Sequence, residues 1–263
     1  MILDPGHDRN QNGKESARVL GVIPARLAST RLPRKVLREI AGRPMLAWVV
    51  EAAQRCPELD AVVVATDSDE VGELCEREGW PWRMTSAALP SGTDRLYAVA
   101  QEIEAAIYVN IQGDEPLLDP EHVRGLLTPF ARPEVEVTTL KLRCPPEDVQ
   151  NPNAVKVVTA ANGRALYFSR ATIPYDRDGA GADYWKHMGL YAFRRPALLG
   201  FPALPVSSLE QAERLEQLRL LEAGLAIYVS ETSVPTVGVD TAEDLERVEA
   251  VLRARTRSPE TRG

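Results

Sequence analysis

This sequence predicts an α/β fold with a mostly parallel, doubly wound sheet, on three observations. The short apolar runs at residues 19–23, 61–65 and 106–111 lack polar alternation, which suits strands buried on both faces. Amphipathic stretches alternate with them through roughly the first 130 residues, the rhythm of β-α-β crossovers. The first and third of these runs pass straight into loops dense in charged residues, where open α/β sheets place their ligands.

Each element has a local reason. Residues 19–23 form a strand that Pro24 is expected to end. Pro44 opens a helix over 44–55, with Leu46, Val49, Val50 and Ala53 on one face. After the strand at 61–65, Ser68 is placed to cap a helix over 69–78. A helix over 93–105 leads into the strand at 106–111, and Asp119-Pro120 is a cap-then-proline start for the next helix. Strands follow at 135–142, 154–159, 165–169 and, briefly, 190–193. Leu209, Ala212, Leu215, Leu218 and Leu221 line one side of a helix predicted over 209–222. Thr241 caps a final helix running to about Leu252. The β-rich stretch 135–195 departs from the alternation and is expected to form an added arm or a subunit contact. One domain is expected over 18–255. The polar tails at 1–17, with Asp4-Pro5-Gly6 and Asn12-Gly13, and at 256–263 are expected to be flexible.

The totals exclude several classes. The chain has 263 residues, of which 44% are hydrophobic and 26% charged, with a net charge of −7. An acidic protein of this kind is not a general nucleic-acid or anionic-membrane binder, because phosphate-backbone affinity needs a basic surface. No apolar run approaches the roughly 20 residues of a membrane span. The three cysteines and three histidines are scattered without metal-ligand spacing. Reduced thiols and a start without a signal pattern lead us to expect a cytoplasmic location.

Against that acidic background the loop after the first strand is conspicuous, because Arg26, Arg31 and Lys35 crowd into it. Like charges this close repel unless an anion sits among them, and a triphosphate is the obvious anion. Taken alone, the same cluster also reads as a solvated basic loop. The strand at 106–111 ends instead in Gln112-Gly113-Asp114-Glu115, where Gly113 is expected to let the backbone approach a ligand. Asp114 there, with Asp240 before the last helix, makes a plausible two-carboxylate magnesium site. Either one alone also reads as a capping residue. Ser91-Gly92-Thr93-Asp94-Arg95 is a loop entering a helix, whose amides can bond a base or phosphate. Glu216 and Gln217 fall outside the apolar stripe of their helix, where a solvated face is the default, and His187 alone is more often structural than ligand-binding.

Taken in order, these segments resemble the 3-deoxy-manno-octulosonate cytidylyltransferases, the CMP-Kdo synthetases. The resemblance runs from Val19 to about Val251. It rests on Pro24-Ala25-Arg26, Ala65-Thr66-Asp67, Ser91-Gly92-Thr93-Asp94-Arg95, Asn110-Ile111-Gln112-Gly113-Asp114-Glu115-Pro116, Asn151-Pro152-Asn153-Ala154-Val155-Lys156, Tyr167-Phe168-Ser169-Arg170, Lys186-His187, Leu215-Glu216-Gln217-Leu218-Arg219 and Gly238-Val239-Asp240-Thr241. Any one motif is weak, but the ordered set is specific.

The resemblance implies a fold of the nucleotide-diphospho-sugar transferase type, a homodimer, and the joining of CTP to the acidic sugar Kdo for lipopolysaccharide biosynthesis. By the same resemblance Ala25, Arg26, Arg31, Lys35, Ser91, Gly92 and Gln112 bind CTP. Arg95, Gln112, Arg170, His187, Tyr191, Glu216 and Gln217 surround the sugar. Asp114 and Asp240 hold Mg2+, and together with Arg26 and Lys35 they are the catalytic set. Other acidic sugars, 8-amino-Kdo or a sialic acid, remain alternatives. The family usually has glycine before the phosphate lysine, where this chain has Arg34, so the backbone of that turn is an open question.

Overall fold

The computed structural model describes residues 17–27 and 32–257. In chain order the elements are β1 (Ala17–Ala25), β2 (Glu39–Ile40), β3 (Arg43–Pro44), α1 (Met45–Gln54), β4 (Ala61–Thr66), α2 (Asp69–Glu78), β5 (Trp82–Met84), α3 (Gly92–Glu102) and β6 (Ala105–Asn110). They continue with α4 (Pro120–Leu127), β7 (Val137–Arg143), β8 (Lys156–Thr159), β9 (Ala165–Ser169), β10 (Trp185–Arg194) and α5 (Arg195–Gly200). Last come α6 (Ser208–Glu213), α7 (Gln217–Glu222), β11 (Ile227–Glu231) and α8 (Ala242–Arg257). The predicted α/β class is observed. The chain divides into two compact units, one of Met1–Ala105, Asn110–Pro120 and Thr236–Gly263, the other of Ala106–Val109 and Glu121–Pro235. The predicted tails fall outside the described residues but for Ala17, which begins β1, and Thr256 and Arg257, which end α8.

In the first unit β1 pairs in parallel with β4, and β4 with β5. Strand β1 runs through Pro24 to Ala25 rather than stopping before it. A proline one residue from a strand's end removes a single donor, which the ladder tolerates. Helix α1 turns Leu46, Val49, Val50 and Ala53 into the core, as its spacing predicts. Helix α2 begins where Ser68 accepts a hydrogen bond from the Val71 amide and stops at Gly79 in the left-handed region. Gly72 lies under the Trp82 ring, where a Cβ would come within 2.7 Å of it. The hairpin β2–β3, absent from the sequence reading, joins α8 through a second apolar cluster of Ile40, Met45, Leu117, Val239, Val248 and Leu252.

In the second unit β7 lies between β10, antiparallel, and β11, parallel. Strands β8 and β9 form an antiparallel pair attached to β10 at Lys156 and Lys186. The short strand predicted at 190–193 is the end of a ten-residue β10, whose register shifts between Met188 and Tyr191. Gly189 and the polar residues before it hide that strand from an apolar-run reading.

The single helix predicted over 209–222 is two helices, α6 and α7, broken at Arg214 with φ 54°. The cause is tertiary. Arg170 donates from Nε to the Glu213 carbonyl at 2.7 Å, and the Glu213 carboxylate accepts from the Ser169 hydroxyl and the Arg170 amide. Those bonds fix a turn that helical periodicity alone would carry straight through.

Candidate active site

The predicted phosphate loop and both predicted carboxylates lie in the first unit. Lys35 opens a single 3-10 turn (Lys35–Leu37) directly after Arg34, whose φ of 57° and ψ of 34° are left-handed. The turn bends the chain so that Lys35 Nζ donates to Asp114 Oδ2 at 2.5 Å and to Asp240 Oδ1 at 3.0 Å. Burial desolvates the ammonium and pulls its pKa down, but the two carboxylates outweigh that and the net direction is upward. The Val239 amide donates to the Asp114 carbonyl at 2.9 Å, which ties the two carboxylate segments together through the backbone. Asp240 is not the cap of α8. Thr241 and Asp244 make that cap by exchanging side-chain and backbone bonds.

Gly113 is required by the protein's own backbone. A Cβ there would sit 2.6 Å from the Pro24 carbonyl oxygen, so the glycine lets two backbone segments meet. Arg34 answers the question left by the missing glycine. It takes the left-handed conformation itself, and its guanidinium pairs with Glu70 of α2. Arg26 is exposed just past the end of β1, and Ala25 is buried with its carbonyl accepting from the Thr66 hydroxyl at 2.6 Å. Arg31 lies outside the described residues.

Ser91 caps α3, accepting from the Asp94 amide and donating to the Asp94 carboxylate. Gly92 begins that helix, with open space for nothing larger than ordinary contact with Pro24 and Asn110. Arg95, expected to face a ligand, is only 2% exposed. Its guanidinium donates to Asp67 Oδ2 at 2.5 Å, to the Thr85 hydroxyl at 2.6 Å and toward the Ser86 carbonyl. It therefore pins the segment after β5 to the end of β4. Gln112 is half-buried beside Gly113. Two further polar side chains here escaped the sequence reading. Asn110 is 2% exposed with its Oδ1 lacking a partner. Burial, with Asp114 adjacent, pushes the Glu115 carboxyl up to about 8. The sequence signal was a polar residue ending an apolar strand for Asn110, and a second acidic residue in the loop after it for Glu115.

The second unit holds the rest of the predicted residues. His187 Nε2 lies 3.0 Å from both the Thr139 hydroxyl and the Tyr191 hydroxyl, with the Phe168 ring edge-on at 5.0 Å. Thr139 also reaches the Met188 and Leu190 carbonyls, which fixes the irregular part of β10 that presents Tyr191. Crowding by protein pushes His187 down to about 3, so the ring is neutral at ordinary pH. Burial, with Glu216 nearby, carries Tyr191 well above its usual range. Gln217 is buried, against the solvated face expected of it, and its Nε2 has no partner. Arg170 is committed to carbonyls, those of Glu213, Pro152 and Arg214. The Asn-Pro-Asn-Ala-Val-Lys motif proves to be a cage in which fully buried Lys156 donates to the carbonyls of Asn151, Ala154 and Arg170.

Two carboxylate oxygens within 3.0 Å of one ammonium define a point where hard oxygen donors converge on a cation. That donor set fits magnesium, which takes one or two protein carboxylates and completes its shell with phosphate and water. Among the described residues no group of three or more His, Cys, Asp or Glu offers a fuller protein cage. A groove of about 770 Å3 also lies in this unit, between Leu32, Arg34 and Arg38 and the start of α8, but it includes none of the predicted residues.

A cytidylyltransferase family model matches residues 20–231 of the chain. The 3-deoxy-manno-octulosonate cytidylyltransferases of Acidobacterium capsulatum and Koribacter versatilis are 61% and 58% identical over 241 residues, 91% of this chain and 98% and 92% of theirs. The structure of a CMP:2-keto-3-deoxy-manno-octonic acid synthetase complexed with CTP superposes with a TM-score of 0.87 at 43% identity, covering 90% of this chain and 99% of that one. An inositol-1-phosphate CTP transferase from T. maritima, 13% identical with a TM-score of 0.66 over 92% of this chain and 98% of its own, shares the fold.

Proposed function

The chain belongs to the 3-deoxy-manno-octulosonate cytidylyltransferase family, and from that premise we infer that it joins CTP to 3-deoxy-manno-octulosonate (Kdo), giving CMP-Kdo and pyrophosphate. The observation that carries this reading in the molecule itself is the meeting of Lys35, Asp114 and Asp240 at one point. In the reaction the anomeric hydroxyl oxygen of Kdo bonds to the α-phosphorus of CTP, the α–β phosphoanhydride breaks in line, and the hydroxyl proton leaves. Such a transfer needs positioning and charge neutralisation rather than a protein nucleophile.

Arg26, Arg31 and Lys35 take the triphosphate, and the cations stabilise charge as the anhydride breaks. Ala25, Ser91, Gly92 and Gln112 complete the CTP set, with the amides at the start of α3 offered to the nucleotide. Asp114 and Asp240 would hold Mg2+, which would supply Lewis-acid charge neutralisation at the phosphates when bound. His187, Tyr191, Glu216 and Gln217 take the sugar. A neutral imidazole and a protonated phenol suit the sugar's hydroxyls better than its carboxylate, and the open Nε2 of Gln217 is a further donor. Arg95 and Arg170 enter as positioning residues, since their guanidinium groups already hold neighbouring protein oxygens. We place the reaction in the cytoplasm as a step toward lipopolysaccharide, carried out by a homodimer. Among the described residues no helix is long and apolar enough to cross a membrane.

The deciding experiment is pyrophosphate release with CTP and Mg2+, offering Kdo, 8-amino-Kdo and N-acetylneuraminate in turn. Release with Kdo supports the reading. Release only with another acid moves the substrate but keeps the chemistry, and silence with all three despite CTP binding overturns the enzyme.

A further inference from the structure

Lys35 bridges the two carboxylates that would hold a metal. Its Nζ approaches the two proposed metal-binding carboxylates at 2.5 and 3.0 Å, and its side chain is only 13% exposed. The Asp114 and Asp240 side chains are 29% and 45% exposed, so solvent reaches the carboxylates more freely than the ammonium that joins them. One ammonium and one divalent cation cannot share the same two oxygens at bonding distance. We propose that Lys35 is the resident counter-cation of Asp114 and Asp240, holding the metal position closed until a triphosphate draws its ammonium away.

This deepens the proposed function and rests on its assignment of the two carboxylates. The same lysine is the phosphate-loop cation, so it has two anionic partners and one ammonium to give them. A triphosphate bound at the loop competes for Lys35 and leaves the carboxylates to the metal. Metal and nucleotide then enter together, and free metal alone binds poorly. The coupling is reciprocal: whatever Lys35 does to weaken metal binding without nucleotide, it returns as cooperativity when nucleotide is present.

The test uses Mn2+ alone, with binding read from the electron paramagnetic resonance signal of the free ion and no nucleotide present. Wild type is compared with Lys35→Gln, which keeps length and removes charge, and with Lys35→Gln/Asp114→Asn. Lys35→Gln should bind Mn2+ at least about tenfold more tightly than wild type, and the double variant should lose that gain. Mn2+ should also raise the melting temperature of Lys35→Gln more than that of wild type. Equal Mn2+ affinity in wild type and Lys35→Gln, or a gain that persists without Asp114, overturns the proposal. If the glutamine variant misfolds by circular dichroism, Lys35→Met, which keeps the apolar stem, asks the same question. Failure of the underlying reading shows itself separately, as near-normal pyrophosphate release by Asp114→Ala or Asp240→Ala.

Discussion

Lys35 in the first unit and His187 in the second are both basic groups crowded by protein, yet one keeps its charge and the other loses it. Lys35 meets two carboxylates and its pKa rises despite desolvation. His187 meets two hydroxyls and the Phe168 ring, and falls to about 3. Burial alone penalises charge, so a buried cation must be answered, by anions as at Lys35 or by a set of carbonyl oxygens. The first unit repeats the pattern at Arg95 and Asp67. In the second unit the buried cation Lys156 is held by neutral carbonyls and burial lowers its pKa, although Arg219 pairs with Glu210 there. Paired charge suits a polyphosphate and a cation, whereas a neutral hydrogen-bonding set suits sugar hydroxyls.

The contrast breaks most visibly at the carboxylates. Asp114→Ala and Asp240→Ala should each lower kcat/KM for pyrophosphate release on the order of 10³-fold or more while the fold persists by circular dichroism. Mild losses in either variant would mean that paired charge in the first unit is structural.

Next in size is the difference between a sealed pair and an exposed one. Arg95→Met leaves the Asp67 carboxylate, 11% exposed, without its guanidinium and should cost about 3–5 kcal/mol in urea unfolding. Arg143→Met in the second unit removes a pair with Asp183 whose side chains are 65% and 63% exposed, and should cost about 1 kcal/mol or less. Similar losses from the two would erase the distinction.

His187→Asn tests the neutral set. It should raise the KM for sugar about tenfold, the loss of one hydrogen bond, and leave the Kd for CTP unchanged. It also changes the acid response. As pH falls through 6.5 an unfolded histidine takes up a proton, while the folded ring resists until about 3. Stability from this group is therefore full above pH 6.5 and is lost progressively on acidification toward pH 3. Wild type should lose more stability than His187→Asn between pH 7 and pH 4, and parallel losses would show that His187 is not held neutral.

The smallest effect belongs to Arg34. Arg34→Gly relieves a left-handed arginine at the loss of an exposed pair with Glu70, and should change stability by under about 1 kcal/mol, in the stabilising direction. A clear loss would give that surface pair a larger part in shaping the loop than its exposure suggests.

Where a segment's conformation depends on its own residues, the sequence was a sufficient guide. Ser68 and the acidic first turn set the start of α2, and the predicted 69–78 matches Asp69–Glu78. The strand predicted at 165–169 matches β9, and the α1 face is buried as its spacing requires. Lys35, Asp114 and Asp240 stood out in the sequence by charge and position, and the structure brings the three together. What the sequence left open was decided by contacts between distant segments. Arg170 breaks the predicted helix at Arg214, Asp67 and Thr85 draw Arg95 inward, and the Pro24 carbonyl requires Gly113. Lys35 and Asp240, 205 positions apart, share a hydrogen bond only because folding brings them together. Local patterning thus determined where several elements begin and which side chains carry charge. Only the tertiary structure decided which of those charges face one another, since pairing and desolvation are properties of positions in space and not of neighbours along the chain.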